Sequence, residues 1–184
     1  TLIPINKILL KGKHNLSNLI ASATVAKLLK IRNFKIKRTM EYFSGIKHRL
    51  QFVKNINGSD YINDSKATNI SSVIAAIDSF NSPMILLLGG KNKDSDFRLL
   101  LPHTKRHVKH IVSFGEAGGE IATAIGDAVR LSTTSSLNQA VASAHKIANP
   151  GDIILMSPGC ASFDEFKNFE DRGENFINMV NKLN

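Results

Sequence analysis

Tyr61-Ile62-Asn63-Asp64-Ser65-Lys66-Ala67-Thr68-Asn69 runs from two apolar residues into polar ones, and then into the helical spacing of Ile70, Val73, Ile74 and Ile77. That is the order of a strand, a polar turn and a helix N-terminus, one βα unit of an α/β sheet. In such a sheet the turn lies at the carboxyl edge, where the first helical N–H groups point outward unpaired. Anions are drawn to that edge. Lys66 adds a positive charge, Ser65 and Thr68 add hydroxyl donors, and Asp64 can hold a ribose hydroxyl, a metal-bound water or Lys66 itself. The same stretch also reads as an ordinary capped turn, with Asp64 or Asn69 as the N-cap and Lys66 in solvent.

The neighbouring segments supply the frame. Upstream, His48 to Val53 alternates as a strand, Asn57-Gly58 is a hairpin turn, and Ser59 to Ile62 returns, so the opening stretch ends an antiparallel hairpin. Downstream, strands at Met84 to Leu88, His110 to Phe114, Ala128 to Leu131 and Asp152 to Met156 alternate with helices. Those helices are expected near Phe97 to Leu101, Ala117 to Ala124, Leu137 to Ile147 and Asp164 to Leu183. Apolar strands interleaved with helices predict a mostly parallel sheet covered on both faces, with the hairpin at its edge. Residues 1 to 11 read as one more short strand and are followed by a helix carrying Leu19, Ile20, Ala23, Ala26 and Leu28, with Asn15 as a candidate N-cap. A second short helix follows at about Ile36 to Phe43, and the basic segment Arg32 to Lys37 is the expected boundary between two pieces. An opening with no cap or turn before it suggests a piece of a longer protein.

Bulk composition narrows the class. With 184 residues, 42% of them hydrophobic, the chain can bury one medium core, and no apolar run approaches the roughly 18 residues of a membrane span. The opening residues lack the basic, apolar and small-residue order expected of a signal peptide, and the single Cys160 excludes an intrachain disulfide, so a cytoplasmic location is expected. A net charge of +9 suits polyanions and small anionic substrates alike. The basic runs 30–38 and 103–110 have little aromatic content between them to stack bases, so they read as solvated faces and no nucleic-acid partner is expected.

Three turns meet at the predicted carboxyl edge: Asn63 to Asn69, Gly89-Gly90-Lys91-Asn92-Lys93, and Ser157 to Ser162. Gly89-Gly90 lets backbone approach a ligand, Lys93 brings a second ammonium, and Ser162 with Phe163 is expected to open the last helix. Gly-Gly here is equally an ordinary turn, and Ser162 an ordinary N-cap. Neither G-x-G-x-x-G nor G-x-S-x-G occurs, which argues against a dinucleotide fold fingerprint and a hydrolase serine. Cys160 has no base beside it, and Lys105, Arg106 and Lys109 would repel a cation from His103, His107 and His110, so no metal site is expected. Asp164, Glu165, Glu170 and Asp171 read as solvent-facing acids that complement the last helix's dipole.

Taken together, GKHNLSN (12–18), FSGIKHRLQFV (43–53), YINDSKATN (61–69), LLLGGKNKDSDF (86–97) and SPGCASFDEFKNFEDRGENF (157–176) resemble the C-terminal part of a Mur ligase, in its D-glutamate-adding branch. The resemblance spans nearly the whole chain. It implies a Rossmann-like C-terminal domain at 37–184, preceded at 1–36 by the strand-helix tail of a central ATPase domain. It further implies ATP-dependent joining of D-glutamate to UDP-N-acetylmuramoyl-L-alanine through an acyl phosphate, with magnesium, in a monomeric enzyme of peptidoglycan synthesis. Carried over by position, Asn15 and Asn18 lie near adenine, while His48 and Arg49 reach the nucleotide and Asp64 its ribose side. Lys66, Thr68, Lys93, Ser162 and Phe169 match the D-glutamate pocket, with Lys66 nearest the chemistry. Two lysines and a helix N-terminus suit a dicarboxylate. Gln51, Asn92 and Asp94 depart from the family pattern. No G-K-[ST] occurs, so the phosphate loop, the magnesium ligands and the UDP site are expected upstream of Thr1, and the chain alone is expected to be inactive. Two alternatives stand beside this: a sister ligase such as another Mur enzyme or a folylpolyglutamate-type synthetase, and a non-catalytic basic module that binds nucleic acid through 30–38 and 103–110.

Overall fold

The computed structural model describes residues 2–8, 10 and 13–184, the side chains of 13 and 14 excepted. The chain divides into two compact units, 1–46 and 47–184. In the first unit, helices α1 (Lys13–Leu28) and α2 (Asn33–Tyr42) pack Leu19, Ala23, Ile36 and Met40 against Ile3 and Ile8. Because Ile36 and Met40 belong to that small core, the division falls about ten residues beyond the boundary expected between 36 and 37. The strand expected at 1–11 is absent among the described residues, where Ile5–Lys7 forms a 3-10 turn after Pro4. Leu9, Lys11 and Gly12 lie outside the described residues. Helix α1 begins at Lys13, so Asn15 and Asn18 stand inside it and Asn15 is not its N-cap.

The second unit is a six-stranded sheet in the order β1-β2-β6-β3-β4-β5. Its strands are β1 (Gln51–Ile56), β2 (Ser59–Asn63), β3 (Met84–Gly89), β4 (Val108–Phe114), β5 (Leu131–Thr134) and β6 (Ile153–Gly159). Only the β1–β2 pairing is antiparallel, and it lies at the edge as expected. Each central strand splits its side chains between two cores. Leu86, Leu88, Ile111 and Leu155 face α3 (Ile70–Ile77), α4 (Leu101–His107) and α5 (Gly118–Ile125). Ile85, Leu87, Val112, Ile154 and Met156 face α6 (Leu137–Ile147) and α7 (Phe169–Asn181). Period-two alternation with both faces apolar is what a doubly covered parallel sheet requires.

Three boundaries differ from expectation. Strand β1 starts at Gln51, because His48 and Leu50 adopt positive φ (62° and 43°) and turn the chain. Strand β5 starts at Leu131, because Gly126–Ala128 forms a 3-10 turn after α5. Helix α7 starts at Phe169 and not near Asp164. Asn168 caps it by accepting the Asp171 N–H at 2.7 Å, while Asp164 and Glu165 are spent on other backbone N–H groups. Ser162 therefore caps no helix, although its carbonyl does close a single turn by accepting the Phe166 N–H.

Phe176 of α7 is fully buried in the second core, whereas Phe163 in the loop before it is 61% exposed. Phe176→Ala is expected to cost about 3–5 kcal/mol and Phe163→Ala less than about 0.5 kcal/mol, measured by urea denaturation. Equal losses would contradict the described packing of α7.

Candidate functional site

Strands β3 and β6 are neighbours, yet their following connections leave for opposite faces, β3 toward α4 and β6 toward α7. A crevice opens at such a reversal, at the carboxyl ends of the strands. Backbone bonds stitch the loops around it. Lys91 and Ala161 exchange N–H···O bonds of 2.9 and 3.0 Å across the crevice, and Ala117 N–H donates to Gly90 O at 2.8 Å. Asp164 accepts the Glu116 N–H at 3.1 Å, and Glu165 accepts the Leu137 N–H at the start of α6. These two acids serve the scaffold and stand before α7, Glu165 while remaining exposed; the acids in the first turn of that helix are Glu170 and Asp171.

The turn after β2 is fixed from several sides. Asn63, fully buried, accepts the Ser65 N–H at 3.1 Å and donates from Nδ2 to Gly173 O at 3.2 Å and to His48 Nδ1 at 3.0 Å. With Nδ1 accepting, the neutral imidazole carries its proton on Nε2, 3.7 Å from Glu174 Oε1. Burial lowers the His48 pKa, against the opposing pull of Glu174. The ring meets Phe169 edge-on at 6.2 Å and lies so close to Gly173 that a Cβ there would overlap it. His48 is thus 4% exposed and held within the protein, while its neighbour Arg49 is exposed.

Asp64 is buried as well, 6% exposed. Its Oδ1 accepts the Leu50 N–H at 3.1 Å and its Oδ2 accepts the Ser157 hydroxyl at 2.8 Å. Desolvation pushes its pKa up to about 6, opposed by those two hydrogen bonds and by Arg49. The next residues turn outward. Lys66 donates its backbone N–H to His48 O at 3.0 Å and places Nζ 3.7 Å from the centroid of the Phe169 ring, a cation–π contact. Thr68 is exposed, and Asn69 caps α3 by accepting the Ser72 N–H at 2.9 Å. Lys93 Nζ stands 5.3 Å from the Phe163 ring on the loop after β6, and Ser162 is buried in that loop.

Lys66, Phe169 and Ser65 are thus brought into one group, and His48 and Asp64 lie directly beneath it. Asn15 and Asn18 sit on α1 in the first unit. An open cleft of about 650 Å³ lies nearby, lined by Asp94, Asp96, Arg98, Glu116 and Glu120 among others. Its four carboxylates would repel a dicarboxylate, and none of the residues singled out from the sequence for binding line it. The basic run 103–110 is partly consumed: Lys109 pairs with Asp152, His103 with Asp78, and His110 meets Ser132 Oγ. Reading the sequence missed Arg172, Ser157 and Gly173. The signal for the first was present, since Arg172, Phe176 and Val180 share one helical stripe, an arginine standing where apolar spacing continues.

Comparison with known proteins bears on this edge directly. A family model described as Mur ligase, glutamate ligase domain, matches residues 48–160. Among curated proteins, the UDP-N-acetylmuramoylalanine--D-glutamate ligase of Bacillus cytotoxicus is 42% identical over 183 residues, 98% of this chain and 41% of that protein. The corresponding ligase of Bacillus subtilis is 40% identical, covering 99% of this chain and 41% of its own length. The chain therefore spans about two fifths of the curated relatives it matches. Among solved structures, a Mycobacterium tuberculosis folylpolyglutamate synthase complexed with ADP superimposes with TM-score 0.69 at 14% identity, over 91% of this chain and 41% of that one. A UDP-N-acetylmuramate-alanine ligase from Thermotoga maritima gives 0.67 at 11% identity, over 94% and 39%. These two agree in fold. With the family model covering more than half of its length, the chain belongs to the Mur ligase family and carries that family's glutamate ligase domain.

Proposed function

We propose that this chain is the acceptor-binding part of an ATP-dependent ligase that joins D-glutamate to UDP-N-acetylmuramoyl-L-alanine in peptidoglycan synthesis. The observation that carries the reading is identity of 40–42% along 98–99% of the chain to ligases named for D-glutamate, with Lys66 and Ser162 on loops at the carboxyl edge and Phe169 at the start of α7 beside Lys66. In the reaction, ATP converts the muramoyl-alanine carboxyl to an acyl phosphate; the D-glutamate amine attacks that carbonyl, phosphate leaves, and the amine gives up a proton as the amide forms. The residues of this chain orient the acceptor. Lys66 and Lys93 are assigned to the two carboxylates, with Thr68, Ser162 and the start of α7 at Phe169 completing the pocket. Holding Lys66 on the Phe169 ring removes rotamer freedom before the acceptor arrives, so less is lost on binding.

On the nucleotide side, Arg49 is the exposed cation assigned to phosphate, whereas Asp64, assigned to the ribose side, is buried with both oxygens already accepting from Leu50 N–H and the Ser157 hydroxyl, so that it serves the nucleotide through the turn it holds. His48, being buried, supports the turn that presents Arg49. Asn15 and Asn18 are assigned to adenine. Magnesium is proposed for the complete ligase; among the described residues there is no cluster of three His, Cys, Asp or Glu side chains that could hold a metal ion. Among the described residues no helix is long and apolar enough to cross a membrane. A cytoplasmic monomer is the proposed working form.

In a complete ligase carrying this chain, Lys66→Ala is expected to raise the D-glutamate KM roughly 10- to 100-fold and to leave the ATP KM within about twofold, as loss of one charged hydrogen bond requires. An unaltered KM would assign the pocket to another acceptor. Asp64 predicts a pH effect. Between its unfolded value of 3.8 and about 6, the folded chain keeps a proton that the unfolded chain releases. Its contribution to stability therefore falls by about 3 kcal/mol as pH rises through that window and is flat above it. Asp64→Asn should remove that slope in denaturation curves measured from pH 4 to 7, and an unchanged slope would place its origin elsewhere.

A further inference from the structure

The buried face of α7 carries Arg172, Phe176 and Val180. A guanidinium thus occupies a position where the stripe calls for an apolar side chain. It is 0% exposed, and among the described residues no carboxylate lies within ion-pair distance of it. Its nitrogens serve the backbone and one hydroxyl instead. Nε donates to Ser65 Oγ at 3.0 Å, and Nη2 donates to Ser65 O at 2.9 Å and to Cys160 O at 3.1 Å. Nη1 has no hydrogen-bond partner among the described residues, and a Cβ on Gly90 would stand 3.1 Å from it. One side chain therefore reaches the loops after β2, β3 and β6. Packed apolar residues commonly replace buried ions without loss of stability, so the fold alone does not call for a cation here.

The bonds continue outward. Ser65 Oγ, which accepts from Arg172, donates to Phe169 O at 2.7 Å. The next residue along is Lys66, whose ammonium lies over the ring of that same Phe169. Two bonds from a rigid planar fork hold both the side chain and the carbonyl of Ser65, and so fix the direction in which the chain enters Lys66. We propose that Arg172 is a positioning residue for the acceptor pocket: acting through Ser65, it sets the Lys66 ammonium on the Phe169 ring and ties that pair to the loop of Cys160 and Ser162. The substrate of the pocket rests on the function proposed above. The positioning itself does not.

The Lys66 ε-methylene protons, lying over an aromatic face, should resonate upfield of a solvated lysine in NMR spectra of the 184-residue chain. Arg172→Lys keeps the charge but loses the fork, and Ser65→Ala removes the relay while leaving the cation. Each is expected to abolish most of the upfield displacement, and the double variant to add nothing, while methyl shifts of Ile85, Leu87 and Val112 stay in place. Ser65→Ala alone decides the matter should Arg172→Lys not fold. Survival of the displacement in Ser65→Ala would overturn the proposal. D-glutamate titrated into the same samples should bind both variants at least roughly tenfold more weakly than the parent chain, the scale expected when a reactive group is misplaced by about 1 Å. Parent-like affinity in both variants would also overturn it. A parent chain that ignores D-glutamate, but whose displacement is lost on substitution, would sink the substrate assignment and support the positioning.

Discussion

Burial of both faces of the sheet governs where this domain can place its chemistry. Strands β3 and β6 carry apolar side chains toward α3, α4 and α5 on one side and toward α6 and α7 on the other, so their faces have no room for water or ligand. Polar groups are left to the carboxyl ends of the strands, and there the reversal between β3 and β6 parts two loops that would otherwise run together. The Lys91–Ala161 pair keeps the parting narrow. The positions of Lys66, Lys93 and Ser162 follow from this constraint more than from any property of the residues themselves.

The cost of such an edge is paid by buried polar groups. Asp64, Asn63, His48 and Arg172 all lie below the surface loops, and they spend their hydrogen bonds on backbone, on one another and on the buried hydroxyls of Ser65 and Ser157. Such networks rigidify only when their members are satisfied, and this one nearly is, the exception among the described residues being Arg172 Nη1. The outward-facing lysines are held by contrast with soft contacts to aromatic rings. A hydrogen-bonded buried layer thus supports an exposed charged one.

Much of this was legible in the sequence. Alternating apolar strands and helices fixed the sheet, Asn57-Gly58 fixed the edge hairpin, and the polar run after Ile62 marked the turn that matters. What escaped has physical causes. His48 looked like the start of a strand because side-chain type does not reveal positive φ, and the closeness of Gly173 to its ring depends on a contact more than a hundred residues away. Asp164 and Glu165 looked like the first turn of a helix because acids are common there; their real partners are Glu116 N–H on the loop after β4 and Leu137 N–H at the start of α6. Ser65 read as a ligand hydroxyl, yet its one O–H is donated to Phe169 O, and its oxygen accepts from Arg172.

The helix caps lead to one further consequence. Asn69, Ser136 with Glu165, and Asn168 each accept N–H groups at the starts of α3, α6 and α7, three of the helices whose N-termini stand at this edge, whereas α5 starts there after Ala117 with no side-chain cap. Fixed backbone dipoles that could grip an anion are thereby partly spent inside the protein, and recognition passes to ammonium groups on long exposed stems. Attraction of that kind is carried through water and is screened over about 8 Å at physiological ionic strength. The pull of this edge on any small anion therefore varies with the ionic strength of the surroundings, while the apolar sheet beneath it stays indifferent.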